Sequence, residues 1–420
     1  MPSKEQIAVE RKILKNPAVS ATFAAANRVF LVGSTDGIYL VGGYLRDLAR
    51  GVPPRKIKDI DFVVRRGLLK ALVNAVSSEL GGTVVELKKE RMLRIAFKDG
   101  ATIDFSIFKK NILNDLKSRD FTFNAISWSP AEGIIDPFGG IRDIKQGIIR
   151  GILKNNFKDD PLRLLRTYRF LSELCIPIES STRKNIRALS ALIKYPARER
   201  ITLEFLKLLN GKCPQKALSA ALKDGILTEI ISLSFNTLAT NINIISKIEP
   251  NLNKIPNVRR LTAARFPQDL SYVGLLRLEA VLTGSELKKS LLSLSSAVGK
   301  RVDAVSRLRG EFSNLSREDM GREDMGRVFE LFGKCGDALT DLLILTGRLD
   351  LIKDAQRFLR IKKRGILSSE EIMRLTGIKT GPELGKIINK MKSLQFTGKI
   401  RSRAQALKHL KTSKRPEFPA

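Results

Sequence analysis

The sequence predicts an α/β head followed by an all-helical remainder, and three observations predict it. Between Val29 and Trp128, short β-branched and aromatic runs alternate with helix-spaced stretches; beyond about Leu209 only helical spacing is left. The third observation is Asp59-Ile60-Asp61, set just ahead of the apolar run Phe62-Val63-Val64. Residues i and i+2 share a face of a strand, so the two carboxylates would point one way while Ile60 enters a core.

Residues 1 to about 27 read as a helical lead-in. Val29-Phe30-Leu31-Val32 and Ile38 to Val41 are strand-like, and Tyr44 to Arg50 is helix-like. Leu72 to Leu80 reads as a helix stopped by Gly81-Gly82. Thr83 to Leu87 and Leu93 to Phe97, joined by a charged turn, read as a hairpin. In Ala101 to Phe108, Ile103, Phe105 and Ile107 share one face; Thr102, Asp104 and Ser106 share the other. Asp159-Asp160-Pro161 opens a helix with an acidic cap and a proline at its first position. The tandem Arg317–Gly321 and Arg322–Gly326 is a five-residue duplication that lengthens a loop between helices.

Composition narrows the function. Lys plus Arg number 75 against 43 Asp plus Glu, a formal charge of +32, and such an excess favours a polyanionic partner through counterion release. Cys175, Cys213 and Cys335 lie far apart with no CxxC spacing, so neither a zinc knuckle nor a disulfide framework is expected. The one histidine, His409, excludes multi-histidine metal sites and reads as a surface helix residue. No apolar signal segment and no apolar run of about 18 residues is present, which points to a cytoplasmic protein.

Two like charges side by side repel unless a cation lies between them, and oxygen-only ligands suit Mg²⁺. Gly42-Gly43, at a strand-to-helix turn upstream, lets backbone N–H groups approach a phosphate. A phosphate cradle beside paired carboxylates reads as nucleotidyl transfer. The pattern GGxxRD (Gly42 to Asp47) followed by DxD resembles the tRNA nucleotidyltransferase and bacterial poly(A) polymerase family, class II of the DNA polymerase β-like superfamily. Further stretches carry the resemblance. Ser118 to Ala125, SRDFTFNA, is similar to the family's RRDFTxNA motif, with Ser118 in place of its leading arginine. Taken alone, RDFTFNA also reads as a helix N-terminus capped by Asp120 and Thr122. Asp136 to Ile144 resembles the connector between head and neck, Asp159 to Arg163 the EDxxR motif, and Arg198 to Glu204 a bracing motif. Ile366 to Leu410 resembles an RNA-contacting tail, with a helix start at Gly381-Pro382 and positive charge at Lys399, Arg401 and Arg403.

The resemblance implies a polymerase β-like α/β nucleotidyltransferase head (1–150), then an all-α neck (151–210), body (211–360) and tail (361–420). It implies two Mg²⁺ ions on Asp59 and Asp61, with Asp104 as third carboxylate ligand. Gly42, Gly43 and Arg46 would hold a triphosphate, Arg119 and Asp120 with Asn124 the ribose, and Asp160 with Arg163 the base edge. Arg166 and Arg169 would reach phosphates or support the helix surface. The implied reaction adds CMP, AMP or both, from CTP and ATP, to a tRNA or other RNA 3′ end. Only residues 109–118 separate Phe108 from Arg119; so short a connection resembles that of enzymes that add only CC and work beside a separate A-adding enzyme. Poly(A) addition uses the same motifs and stays open, as does a non-catalytic RNA-binding protein with this fold.

Overall fold

A computed structural model describes residues 3–30, 37–108, 110–256, 258–315 and 324–412. The chain divides into two compact units, Met1–Ile230 and Ile231–Ala420.

The first unit opens with helices α1 (Lys4–Ile13) and α2 (Pro17–Val29), each started by a side-chain cap, Ser3 and Asn16 respectively. Then follow β1 (Ile38–Val41), α3 (Gly43–Ala49), β2 (Asp59–Val64), α4 (Leu69–Leu80), β3 (Thr83–Lys88), β4 (Met92–Ala96) and β5 (Thr102–Ile107). After α5 (Ile112–Lys117) come β6 (Ser127–Ser129), β7 (Gly133–Ile135) and α6 (Gly140–Gln146). The strands form one seven-stranded sheet in the order β3-β4-β5-β2-β1-β6-β7, with β2 and β5 parallel and every other pair antiparallel. Alternation decides its two faces. Ile60, Phe62 and Val64 of β2 join Phe105 of β5 in a core closed by α2 and α4, where Phe62 stacks on Phe105 at 5.4 Å and Phe23 meets Phe62 edge-on at 5.5 Å. Val63, Tyr39 and Val41 face the other way, against Ile112 and Leu116 of α5. Asp59 and Asp61 belong to this second face, at the end of β2 where the apolar cover stops.

The expected strand at Val29 to Val32 does not begin where the spacing suggested: Val29 ends α2, because Phe23, Ala25 and Ala26 carry a helical stripe into the core. Leu31 and Val32 lie outside the described residues.

Six helices complete the unit: α7 (Lys154–Asp159), α8 (Leu162–Leu174), α9 (Ser180–Leu189), α10 (Arg198–Asn210), α11 (Pro214–Lys223) and α12 (Ile226–Ile230). The acidic cap expected at Asp159-Asp160 is not formed. Asp159 closes α7, and Asp160 turns its carboxylate to Arg200 of α10 at 3.2 Å, so α8 starts at Pro161 without a side-chain cap. A fully buried Asp224 ties the bundle together, accepting from Tyr168 of α8 and from Arg183 and Arg187 of α9.

The second unit is helical apart from the two-residue strands β8 (Arg265–Phe266) and β9 (Leu270–Ser271), a small departure from the all-helical expectation. Its helices run from α13 (Phe235–Leu252) through α14 (Val258–Thr262), α15 (Tyr272–Leu282), α16 (Ser296–Ser313) and α17 (Asp324–Lys334). They continue with α18 (Leu339–Thr346), α19 (Ile352–Lys363), α20 (Ser369–Thr376), α21 (Pro382–Phe396) and α22 (Arg403–Thr412). The second copy of the duplication ends inside α17 and not in a loop, while residues 316–323 lie outside the description. α21 starts at Gly381-Pro382 as expected, and His409 is half-buried on α22. No helix among the described residues is long and apolar enough to cross a membrane.

The cysteines depart from expectation. Cys175, at the end of α8, and Cys213, at the start of α11, form a disulfide, while Cys335 is free and buried. Spacing gave no hint of this, because the pairing depends on α8 and α11 packing side by side. Ser172 O accepts from both Lys212 N and Cys213 N, which brings the two thiols together. A bridge closing a 38-residue separation is worth about 4 kcal/mol through the unfolded chain. Thiol titration of the oxidised, denatured protein should therefore find one reactive cysteine, and reduction should find three. Reduction should also lower the melting temperature, and Cys175→Ala should abolish that sensitivity.

Candidate active site

The two carboxylates of β2 open into a cavity of about 920 Å³ whose opposite wall is α8 and α10. Nine Lys and Arg side chains line it against six Asp and Glu. The sheet contributes Gly42, Gly43, Arg46, Asp59, Asp61 and Arg119; the helices contribute Asp160, Arg163, Arg166, Arg169 and Arg200, around a floor made by Phe170.

Gly42 is where the backbone turns from β1 into α3, with φ +71°. An added Cβ would stand 3.0 Å from Arg119 Nη1 and 3.6 Å from Asp61 Oδ2. Only glycine allows both that backbone and that approach. Arg119 is held by Asp115 of α5 (3.0 Å to Nε) and by the carbonyl of Asn124 (3.2 Å), so its guanidinium is fixed beside Asp61.

Asp61 is held well above the ordinary carboxylate range. Burial pushes its carboxyl up to about 6; Arg119 opposes this, and the negative charges of Asp104 and Asp59 add to it. Asp59 is exposed and accepts from Thr102 at 3.1 Å. Asp104 stands beside Asp61 in the parallel β2–β5 register, as the strand pattern predicted. Its carboxylate, however, is engaged by Arg94 of β4, Nε to Oδ1 at 2.6 Å and Nη2 to Oδ2 at 2.7 Å. The expected third carboxylate ligand thus stands beside Asp61 but is paired with Arg94, and among the described residues no three acidic, histidine or cysteine side chains are gathered as a metal cluster. The reason is one strand away. Arg94 and Asp104 are direct partners across the β4–β5 hairpin, and a buried carboxylate takes the nearest guanidinium.

The RDFTFNA stretch forms a 3₁₀ turn, Thr122–Asn124, between α5 and β6. Asp120 is buried and its carboxylate is fully used: Oδ1 accepts from Phe121 N and Asn124 Nδ2, Oδ2 from Arg166 Nε and Nη2. Burial alone would raise its pKa, but Arg166 and these donors overcome that and hold it below the usual carboxylate range. The turn passes the organisation on. Asn124 Oδ1 accepts from Arg46 at 3.0 Å, and Arg46 also forks onto Asp47. Thr122 donates to the buried Asp143, which accepts from Arg150 as well. Gly140 packs against Thr122 so closely that a Cβ would lie 2.2 Å from its carbonyl oxygen. The DPFGGIRD stretch thus buttresses the site from behind.

Across the cavity, Arg163 donates to the backbone carbonyls of Ser118, Arg119 and Asn156, which anchors α8 to the RDFTFNA turn. Glu204 of α10 pairs with Arg166 and Arg169, and three guanidiniums, of Arg46, Arg166 and Arg169, lie 4.9–5.5 Å from the Phe170 ring centroid. Sequence reasoning missed Phe170, Asn156 and Arg94. For Arg94 a signal existed: it and Asp104 stand equally far from Asp99 in the hairpin turn.

Comparison with known proteins agrees with this geometry. The Poly A polymerase head domain model matches residues 38–150, and a model described as probable RNA and SrmB-binding site of polymerase A matches 176–233. A CC-adding tRNA nucleotidyltransferase of Geobacter sulfurreducens is 29% identical over 89% of this chain and 91% of its own. Over most of its length the chain is thus similar to tRNA nucleotidyltransferases, and its residues 38–150 match a Poly A polymerase head domain. A CCA-adding enzyme of Lactobacillus delbrueckii subsp. bulgaricus is 28% identical over 88% of this chain and 92% of its own. A CC-adding enzyme of Synechocystis sp. is 36% identical over 56% of this chain and 55% of its own. The fold is that of the Thermotoga maritima CCA-adding enzyme solved with tRNA: TM-score 0.72 at 21% identity, over 97% of this chain and 98% of that one.

Two outcomes follow from this geometry. Gly42→Ala should cost about 1–3 kcal/mol in backbone strain and displace Arg119, so that nucleoside triphosphate affinity measured by calorimetry falls further than the melting temperature does. Asp120→Asn should cost about 3 kcal/mol by breaking the buried pair with Arg166, which then keeps only Glu204 at 3.5 Å. Because the folded pKa of Asp120 is depressed, its contribution is complete above the usual carboxylate pKa and is lost as pH falls through the folded value. The acid limb of a stability–pH profile should be shallower in Asp120→Asn than in the wild type.

Proposed function

We propose that this enzyme adds CMP to the 3′ end of tRNA from CTP, without a template strand. The observation that carries the reading is the cavity itself: β2 presents Asp59 and Asp61 on one wall, and Asp160, just ahead of α8, with Arg163 of α8 stands on the other. Nucleotide, reacting carboxylates and base-reading side chains thereby share one space. In this reading Gly42, Gly43 and Arg46 hold the triphosphate, Arg119 and Asn124 orient the sugar, and Asp160 with Arg163 hydrogen-bonds the base edge. Asp120 acts through Asn124 and Arg166 and not by its own contact with ribose. Residues 1–150 serve as catalytic head, 151–210 as neck, 211–360 as body and 361–420 as RNA-contacting tail.

Asp59 and Asp61 suit Mg²⁺: both offer carboxylate oxygens to the cavity, neither is tied to an arginine, and hard cations take oxygen donors. Bound there, Mg²⁺ would lower the pKa of the RNA 3′-hydroxyl and stabilise the pyrophosphate leaving group. The protein's own share is positioning and charge neutralisation: Arg46 and Arg119 flank the carboxylates, and Phe170 with its three guanidiniums walls off the nucleotide side.

CC addition is favoured by the connection between β5 and Arg119, where residues 109–118 hold the short helix α5 and leave no room for a long loop. Full CCA addition is the second reading, supported by the near full-length relatives of that name. Either substrate goes with a cytoplasmic enzyme; thiols are kept reduced there, so the Cys175–Cys213 disulfide of this structure would open to a dithiol.

The test is incubation with tRNA ending at the discriminator base, Mg²⁺ and labelled CTP, ATP or both. Growth by two residues with CTP, and ATP unused, is the expected result. A three-residue product requiring both nucleotides would replace it with CCA addition, and long ATP-only products with poly(A) synthesis. Bound tRNA with no product would overturn the enzymatic assignment of the site.

A further inference from the structure

We propose that Arg94 is a resident counter-ion for Asp104 and exchanges with the metal ion at the active site. Asp104 is 9% exposed and stands beside Asp61 in the sheet register. A carboxylate this buried must be paired, either with a cation of the protein or with one from solution. Arg94 meets the need with a two-point fork, so no lone pair of Asp104 aimed at that fork is free for a metal. The positive charge of Arg94 also falls within reach of Asp59 and Asp61, whose negative charges hold the Arg94 guanidinium in its charged form along with Asp104.

The two partners of Asp104 differ in freedom. The Arg94 side chain, midway along β4, is 37% exposed and so can leave toward solvent, whereas Asp104 is held by β2 on one side and β4 on the other. A divalent cation on Asp59 and Asp61 would repel the guanidinium and compete for the same oxygens. Arg94 is thus a positioning residue, one that keeps the third carboxylate ordered and neutralised between turnovers and yields it when metal and nucleotide arrive. This rests on the assignment of Asp59 and Asp61 as metal ligands.

Binding of Mn²⁺ to the full-length protein without nucleotide, read by electron paramagnetic resonance of the free ion, tests the exchange independently of turnover. Arg94→Met should bind Mn²⁺ tighter than wild type by roughly 3- to 30-fold, within the span of couplings between groups in contact. Asp104→Asn added to Arg94→Met should erase that gain, which a merely structural role for Arg94 would not do. Arg94→Lys keeps the charge without the fork and should fall between the two, so it decides the matter if Arg94→Met does not fold. Unchanged or weaker Mn²⁺ binding in the folded Arg94 variants, with Asp61→Asn abolishing it, would overturn the exchange alone. Mn²⁺ binding indifferent to Asp61→Asn would overturn the metal assignment and the exchange with it.

Discussion

Negative charge held at the end of an apolar sheet is the constraint around which the first unit is built. Asp61 cannot move away from its neighbours: Asp59 precedes it by two residues on one face of β2, and the parallel pairing to β5 brings Asp104 alongside. Strand geometry creates the repulsion, and burial amplifies it by stripping water from the group. Three arginines answer it: Arg119 from the end of α5 and Arg46 from α3, each fixed by a further partner, and Arg94 from β4, which forks onto Asp104. Glycine at 42 is the steric condition for the first of these, since any side chain would push Arg119 out.

The RDFTFNA turn connects this charged edge to the helices. Asp120 grips Arg166 of α8, Asn124 grips Arg46, and backbone carbonyls of residues 118 and 119 accept from Arg163. A 3₁₀ turn suits this work because its side chains radiate in several directions over few residues. Behind it, Asp143 and Gly140 take the Thr122 hydroxyl and backbone into close contact. A rigid turn of this kind keeps the sheet carboxylates and the α8 side chains at one distance, which positional catalysis requires. The aromatic stack of Phe121, Phe123 and Phe170 under the turn supplies the dry backing.

Much of this was legible in the chain. Period-two alternation over Asp59–Val64 and Thr102–Ile107 reports which side chains share a face, and both strands appear in that form. Spacing within RDFTFNA and DDPLR marked the residues that line the cavity. What those residues bind was less legible, because pairing partners come from elsewhere in the sequence. Asp120 looked like a ribose acceptor and is saturated by Arg166, which lies 46 residues on. Asp160 looked like a helix cap and points to Arg200, 40 residues on. Cys175 and Cys213 carried no spacing signal at all.

The sequence by itself determined the α/β-then-helical order, the common face of Asp59 and Asp61, and the glycine turn beside them, since each is set by local backbone geometry. Tertiary structure alone decided which carboxylates remain open to the cavity. Asp104 obeys the same alternation as Asp61, yet Arg94 occupies it. The difference lies in what the adjacent strand places opposite each, and strand register is a property of the assembled sheet.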